Sequence, residues 1–394
     1  MNYYADFDNC LGKVIDSLKK LLYKRHADIF ERLDFYDDGI YQEPLLYTYI
    51  NQQDPKWLDC IIYGYEKEKK EKIEVFSNSR GIIYIPRIGY FRTTACDRAI
   101  ILETKGNEIQ LMLDGKRLNY QYEPVLYAAH GIEIVKYQHP LLENVFTGQG
   151  TAQSDVIIED VYKAHTGSFN KGLAIIEACN PAHFQVLLRV LKKVMLFTSE
   201  RQNSFAVMTA HNMIFLNVND WDDEIFFADH ISHEGAHVNF FTLTYESKYE
   251  LFKCHFNTPL ENLLSGYGRH HSVYLCFHGL FTFVEITKCL GQCLEKHPDN
   301  GAFSARQIHD INGRFIFHMQ RYKTAIGLFE SLDILKQDGL EWFSLFKEHY
   351  HRLEEKYNKL APLYSLKGQP YDFNSKIFAE MNALHLPPGN MQSP

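Results

Sequence analysis

His233, Glu234 and His237 stand in the order His-Glu-Gly-Ala-His, an HExxH pattern. On an α-helix, residues four apart lie one above the other on a single face. Two imidazoles at that spacing can grip one metal ion, and the glutamate between them can act on a bound water. The competing reading is a pair of histidines satisfied inside a core. A metal site needs a third donor. The metzincin extension does not supply it, because Phe240 and Leu243 replace the glycine and histidine it requires. The next helical stretch, starting near His270, offers His271, His278 and Glu285 in one stripe. Neighbours in that stripe are about 10.5 Å apart along a helix axis, so only one can reach the ion. His278, beside Gly279, is the preferred third ligand. Glu285 is the gluzincin-like choice, and Glu261 and His255 are further candidates. His271 reads rather as a polar residue at a helix start. His230 and Asp229 precede His233 by about a turn. They are either placed to orient it or are ordinary helix residues.

These side chains need a helix and a wall to hold them. Asp220 reads as an N-cap, with Asp222, Asp223 and Glu224 bringing negative charge to the first turn. Ile225, Phe226, Phe227, Ile231, Val238, Phe240 and Phe241 surround the motif and predict a deeply packed helix. Polar residues inside such a run are costly unless paired or ligating. Directly before it, Phe205 to Met208 and Met213 to Val218 read as a hairpin with a turn near Ala210 to Asn212. The second strand of that hairpin is expected to be able to add to an extended peptide.

The rest of the chain sets limits. Its 394 residues are enough for two domains, and 45% apolar with 23% charged residues is globular usage. A formal charge of −8 argues against nucleic acid and anionic lipid as partners. Met1 to Asp6 is not expected to be a secretory signal, and the apolar stretch Ser272 to Leu290 contains His278, Glu285 and Lys288, so it reads as a buried helix. Eight scattered cysteines without a CxxC framework fit reduced thiols in a cytoplasmic protein, with Cys289 and Cys293 one turn apart. Residues 11–36 show helical spacing. From Ile73 to Tyr137, short β-branched runs such as Ile82–Ile85, Ile100–Leu102, Ile109–Leu113 and Ile132–Val135 read as strands. Tyr120 and Tyr122 share a strand face and read as cross-strand packing. Leu340 to Leu360 reads as a last amphipathic helix, followed by a disordered tail from Leu386. The small, polar run Gly148 to Ser154 marks a boundary. The expectation is an α+β protein: a β-containing N-terminal region over 1–150, recognising a peptide or partner, then a mainly helical metal-binding catalytic region over 151–394. An edge hairpin lies beside the HExxH helix.

The succession of the hairpin, Ile231 to His237, and then Phe277-His278-Gly279-Leu280-Phe281-Thr282-Phe283 resembles the HExxH-type peptide-modifying enzymes of ribosomal peptide natural-product pathways. The resemblance covers about residues 155–295. It implies an iron- and 2-oxoglutarate-dependent peptide hydroxylase, an oxidoreductase of the dioxygenase type using O2. Fe(II) would be held by His233, His237 and His278. Arg269 would bind the distal carboxylate of the oxoacid, with Arg314 and Arg321 as competitors. The stretch between the motifs, which often carries Trp in that family, carries none here. The alternative is a zinc peptidase with Glu234 as general base. The third option is a non-catalytic, metal-stabilised peptide-binding module.

Overall fold

The computed structural model describes residues 4–52, 54–106, 108–147, 155–264, 271–300 and 303–382. Phe7, Leu11, Val14, Ile15, Leu18 and Leu22 recur at helical spacing and are buried along α1 (Phe7–Arg25). A turn at Ala27 and Asp28 ends the periodicity expected to run to residue 36 and separates α2 (Ile29–Arg32). Three short helices follow: α3 (Asp38–Tyr41), α4 (Pro44–Gln52) and α5 (Leu58–Ile62).

The β-branched segments then form β1 (Lys72–Phe76), β2 (Ile82–Ile85), β3 (Gly89–Arg92), β4 (Ala99–Lys105), β5 (Glu108–Leu113), β6 (Lys116–Leu118), β7 (Gln121–Pro124), β8 (Leu126–Tyr127) and β9 (Glu133–Ile134). After α6 (Glu143–Thr147), α7 (Val161–Cys179) and α8 (Pro181–Val190), three more strands appear: β10 (Lys193–Phe197), β11 (Phe205–Ala206) and β12 (Met213–Asn217). The chain closes with α9 (Glu224–Leu243), α10 (Val273–Asn300), α11 (Ala305–Glu330), α12 (Gln337–Tyr357) and α13 (Ser375–Met381). A β-containing first part and a largely helical last part are therefore present. The tail from Leu386 lies outside the described residues.

The chain gathers into two compact units, both discontinuous. One comprises 11–166 and 188–218; the other comprises 1–10, 167–187 and 219–394. The division runs through α1, α7 and α8. Residues 148–153 of the boundary run read from composition lie outside the described residues, as does Ser154.

In the first unit, β1-β4-β5-β6 and β2-β3-β7 are antiparallel sheets. Ile73, Val75, Ile100, Leu102 and Leu111 point inward from the larger one, in the alternation that a one-sided sheet demands. Asp114 (φ 49°) and Gly115 (φ 76°) turn β5 into β6. Two successive positive φ values are what a two-residue hairpin loop requires. The third sheet has the order β11-β12-β10-β9-β8, with β10 parallel to both β12 and β9. β11 and β12 are antiparallel, as the sequence suggests, but β12 lies between β11 and β10. Its backbone is already paired on both sides, so the edge expected of Met213 to Val218 is absent. Tyr120 and Tyr122 pack on Phe91 and donate to the carbonyls of Ile109 and Ile88.

In the second unit α10 packs against α9, α11 and α12. Residues Val273–Lys296 of α10 are long and apolar enough to cross a membrane, but 78% of the apolar window is buried inside the fold. α11 begins with a capping box between Ser304 and Gln307. Phe317, Phe373 and Phe378 join α11 to α13.

Candidate functional site

α9 carries the HExxH residues. Asp223, not Asp220, is its N-cap: the Asp223 carboxylate accepts from the Ile225 amide at 2.9 Å. Asp222 instead ties down the preceding turn by accepting from the Asn219 amide at 2.8 Å. Beyond the first residue, every position of this helix is fully buried except His230, His233 and His237, which are partly buried. Those three are spaced three and four apart, so solvent reaches a core helix along one stripe of imidazoles. The other faces are closed by near contacts. A Cβ on Gly235 would lie 2.4 Å from Leu187 of α8, and one on Gly172 of α7 would lie 2.5 Å from the Cβ of Phe227.

The stripe faces other polar groups. The rings of His233 and His237 have centroids 5.0 Å apart. His237 Nδ1 and His278 Nε2 are hydrogen-bonded at 2.9 Å, and the His278 ring stacks on Phe240 at 4.8 Å with Phe241 edge-on at 4.5 Å. His230 stacks on Phe226 at 4.1 Å. Asp229 also does something other than expected. It accepts from Arg314 Nη1 at 2.8 Å and lies 2.8 Å from His318 Nε2. Arg314 is fully buried; its Nε donates to Asp310 and its Nη2 to Ser375.

Burial governs the protonation states. It pushes His237 and His230 down to about 4. It also holds His233 and His278 well below the usual imidazole range, helped by neighbouring histidines. Burial raises Glu234 well above the usual carboxylate range, and the charges of Asp372 and Asp229 add to it. For Asp229, burial acts upward, but the charge and hydrogen bonding of His318 and the charge of Arg314 win and hold it well below that range. At neutral pH the stripe is therefore uncharged, burial works against a charge on Glu234, and Arg314 is matched to the carboxylates of Asp229 and Asp310.

Among the described residues, no group of three or more His, Cys, Asp or Glu side chains could hold a metal ion. The physical reason begins with His237 and His278, whose facing nitrogens bond each other rather than a common centre. This corrects the expectation of Fe(II), or Zn, held by His233, His237 and His278. Glu285 does not replace His278. It lies in a separate buried cluster, accepting from Asn180 at 2.9 Å with His183 at 3.4 Å and Lys288 at 3.1 Å. His255 accepts from the Asn257 amide, and His271 is exposed just before α10. Arg269 lies outside the described residues. Arg314 is committed to Asp229 and Asp310 and is closed to an oxoacid.

No protein-family model and no curated protein matches the chain. The resemblance to HExxH peptide-modifying enzymes thus extends no further than the motif letters. The 2-oxoglutarate-dependent hydroxylase, the oxidoreductase and dioxygenase assignments and the zinc peptidase fall with the metal site. Asp310 and His318 were not read from the sequence, and Arg314 was read only as a competitor for the oxoacid. Their spacing of four along α11 was a readable signal for one polar face inside a helix otherwise packed with Phe and Ile.

Proposed function

We propose that the helical unit binds a neutral polar ligand, a peptide segment, against the imidazole stripe of α9. The observation that carries this reading is that His230, His233 and His237 are the positions beyond the first residue where this core helix meets solvent. A neutral imidazole offers one donor and one acceptor, which is the pairing an amide needs. An uncharged stripe favours amide or hydroxyl groups over ions, and the net charge of −8 speaks against nucleic acid. Rings from Phe226 and Phe241 flank the stripe and provide apolar contact beside the polar groups.

The test is a titration of the full chain with blocked tripeptides, followed through histidine ring 15N resonances. His233 and His237 should shift, and His233→Phe should weaken binding about tenfold or more, the loss of a well-made polar contact. His233→Asn, which keeps a donor and an acceptor, should retain part of the affinity. Binding that is indifferent to His233→Phe would end the proposal.

A second reading is favoured by one atom. Glu234 Oε2 is buried without a hydrogen-bond partner among the described residues, and burial pushes its carboxyl well above the usual carboxylate range. Such a group can give a proton to a bound carbonyl as a general acid. Glu234→Gln keeps the shape and a donor but removes the transferable proton. Peptide binding should then survive while any turnover of the peptide stops.

A further inference from the structure

A second feature of the helical unit lies along α10 and α11. A recess of about 490 Å³ is lined by Leu275, Phe283, Phe317, Leu328, Tyr371 and, as its cation, Arg321. The Arg321 guanidinium lies among three rings, with Cζ 4.3 Å (Tyr371), 5.3 Å (Phe317) and 5.9 Å (Phe283) from the centroids. One of its nitrogens, Nη1, donates to the Tyr371 carbonyl at 2.8 Å. Asp372 stands within its electrostatic reach, yet Arg321 makes no ion pair among the described residues. Arg314, seven residues earlier on the same helix, has its whole fork occupied by Asp229, Asp310 and Ser375. Among the described residues Arg321 thus keeps Nε and Nη2 without a hydrogen-bond partner, in mainly apolar walls that also include His271 and Thr324. Leu275 and Tyr371 stand at the rim, each about half exposed (49% and 50%).

We propose that this recess is a binding site for a carboxylate carried on an apolar or aromatic body, with Arg321 as its anchor. A guanidinium set against rings with two donors remaining fits the two oxygens of a carboxylate, and aromatic walls fit the body attached to it. Gly279 and Phe317 line the recess, while their chain neighbours His278 and His318 lie beside His237 and His233 of the α9 stripe, so both features are built from the same two helices. A peptide bound along the stripe can present its C-terminal carboxylate here. That peptide form of the ligand rests on the function proposed above; the carboxylate site itself does not.

The experiment uses calorimetry on the full chain with three probes: N-acetyl-Gly-Gly-Phe, the same peptide as its C-terminal amide, and 3-phenylpropionate. The free-acid peptide should bind at least about tenfold more tightly than the amide, the size of one charge-assisted contact. Arg321→Gln should abolish that preference, and Arg321→Lys, which keeps the charge but not the fork, should reduce it. Thermal unfolding of each variant checks that it remains folded. Binding of 3-phenylpropionate with loss in Arg321→Gln, but no binding of either peptide, supports the carboxylate site and overturns the peptide source. Acid and amide binding equally, no probe binding, or a preference that survives Arg321→Gln overturns the site.

Discussion

At the scale of single residues, Arg314 and Glu234 show opposite ways of keeping an ionisable group inside a protein. Arg314 stays charged because two carboxylates and a hydroxyl occupy its fork. Burial instead pushes the Glu234 carboxyl upward, toward its uncharged form. Arg314→Met should therefore cost about 3–5 kcal/mol, since it strands a buried Asp229 charge. Adding Asp229→Asn should recover part of that loss in urea unfolding, the signature of a coupled pair. Glu234→Gln, by contrast, puts a neutral amide of the same shape where burial already disfavours a charged carboxylate and should change stability by less than about 1 kcal/mol. The HExxH letters and their helical spacing were legible in the chain. The pairing of Asp229 with Arg314 was not, because the two residues meet only when α9 and α11 are packed together.

At the scale of elements, α9 is a core helix made possible by small residues on its neighbours and in itself. An added methyl at position 172 would run into the Phe227 Cβ at 2.5 Å and the Ala228 backbone at 3.0 Å, neither of which can rotate away. Gly172→Ala should cost about 1–3 kcal/mol by forcing α7 and α9 apart. Thermal melts should show it, and a stability equal to the parent's would disprove that close approach. The existence of α9 and its buried character could be read from its run of apolar residues. Its start could not: several acidic residues in a row compete for the cap, and Asp223 wins by bonding the Ile225 amide. The same limit applies to β12. Its β-branched and aromatic residues announce a strand, but whether a strand lies at an edge depends on β10, more than ten residues earlier in the chain.

At the scale of the whole molecule, buried titratable groups set the pH at which the fold is most stable. His237 and His230 are pushed down to about 4, and His183 to about 3, each by burial. A histidine whose folded pKa lies below its unfolded 6.5 contributes stability above that value, and the contribution is lost as pH falls toward the folded pKa. Each unit of depression is worth about 1.4 kcal/mol before relaxation. Buried acids act the other way. Burial raises Glu285 to about 8 and Asp372 to about 6, so their contribution is full below the unfolded carboxylate pKa and is lost as pH rises through those values. The two groups together predict a stability maximum near neutrality with the steeper fall on the acid side. Melting temperatures between pH 4.5 and 8.5 measure it; a flat profile below pH 6.5 would refute the buried neutral histidines.

By itself the sequence determined the elements: the strand-rich stretch after Ile73, the buried α10 and the helix bearing His233 and His237. Periodicity and composition are local properties, and local backbone preference responds to them. The tertiary structure decided what the polar side chains face. A ring nitrogen's role depends on its partner, and the partners of His237 and Asp229 come from helices 41 and 85 residues away. Spacing along one helix can bring two imidazoles to the same face, but only the packing of α10 and α11 turns one of them toward a third imidazole instead of a shared centre.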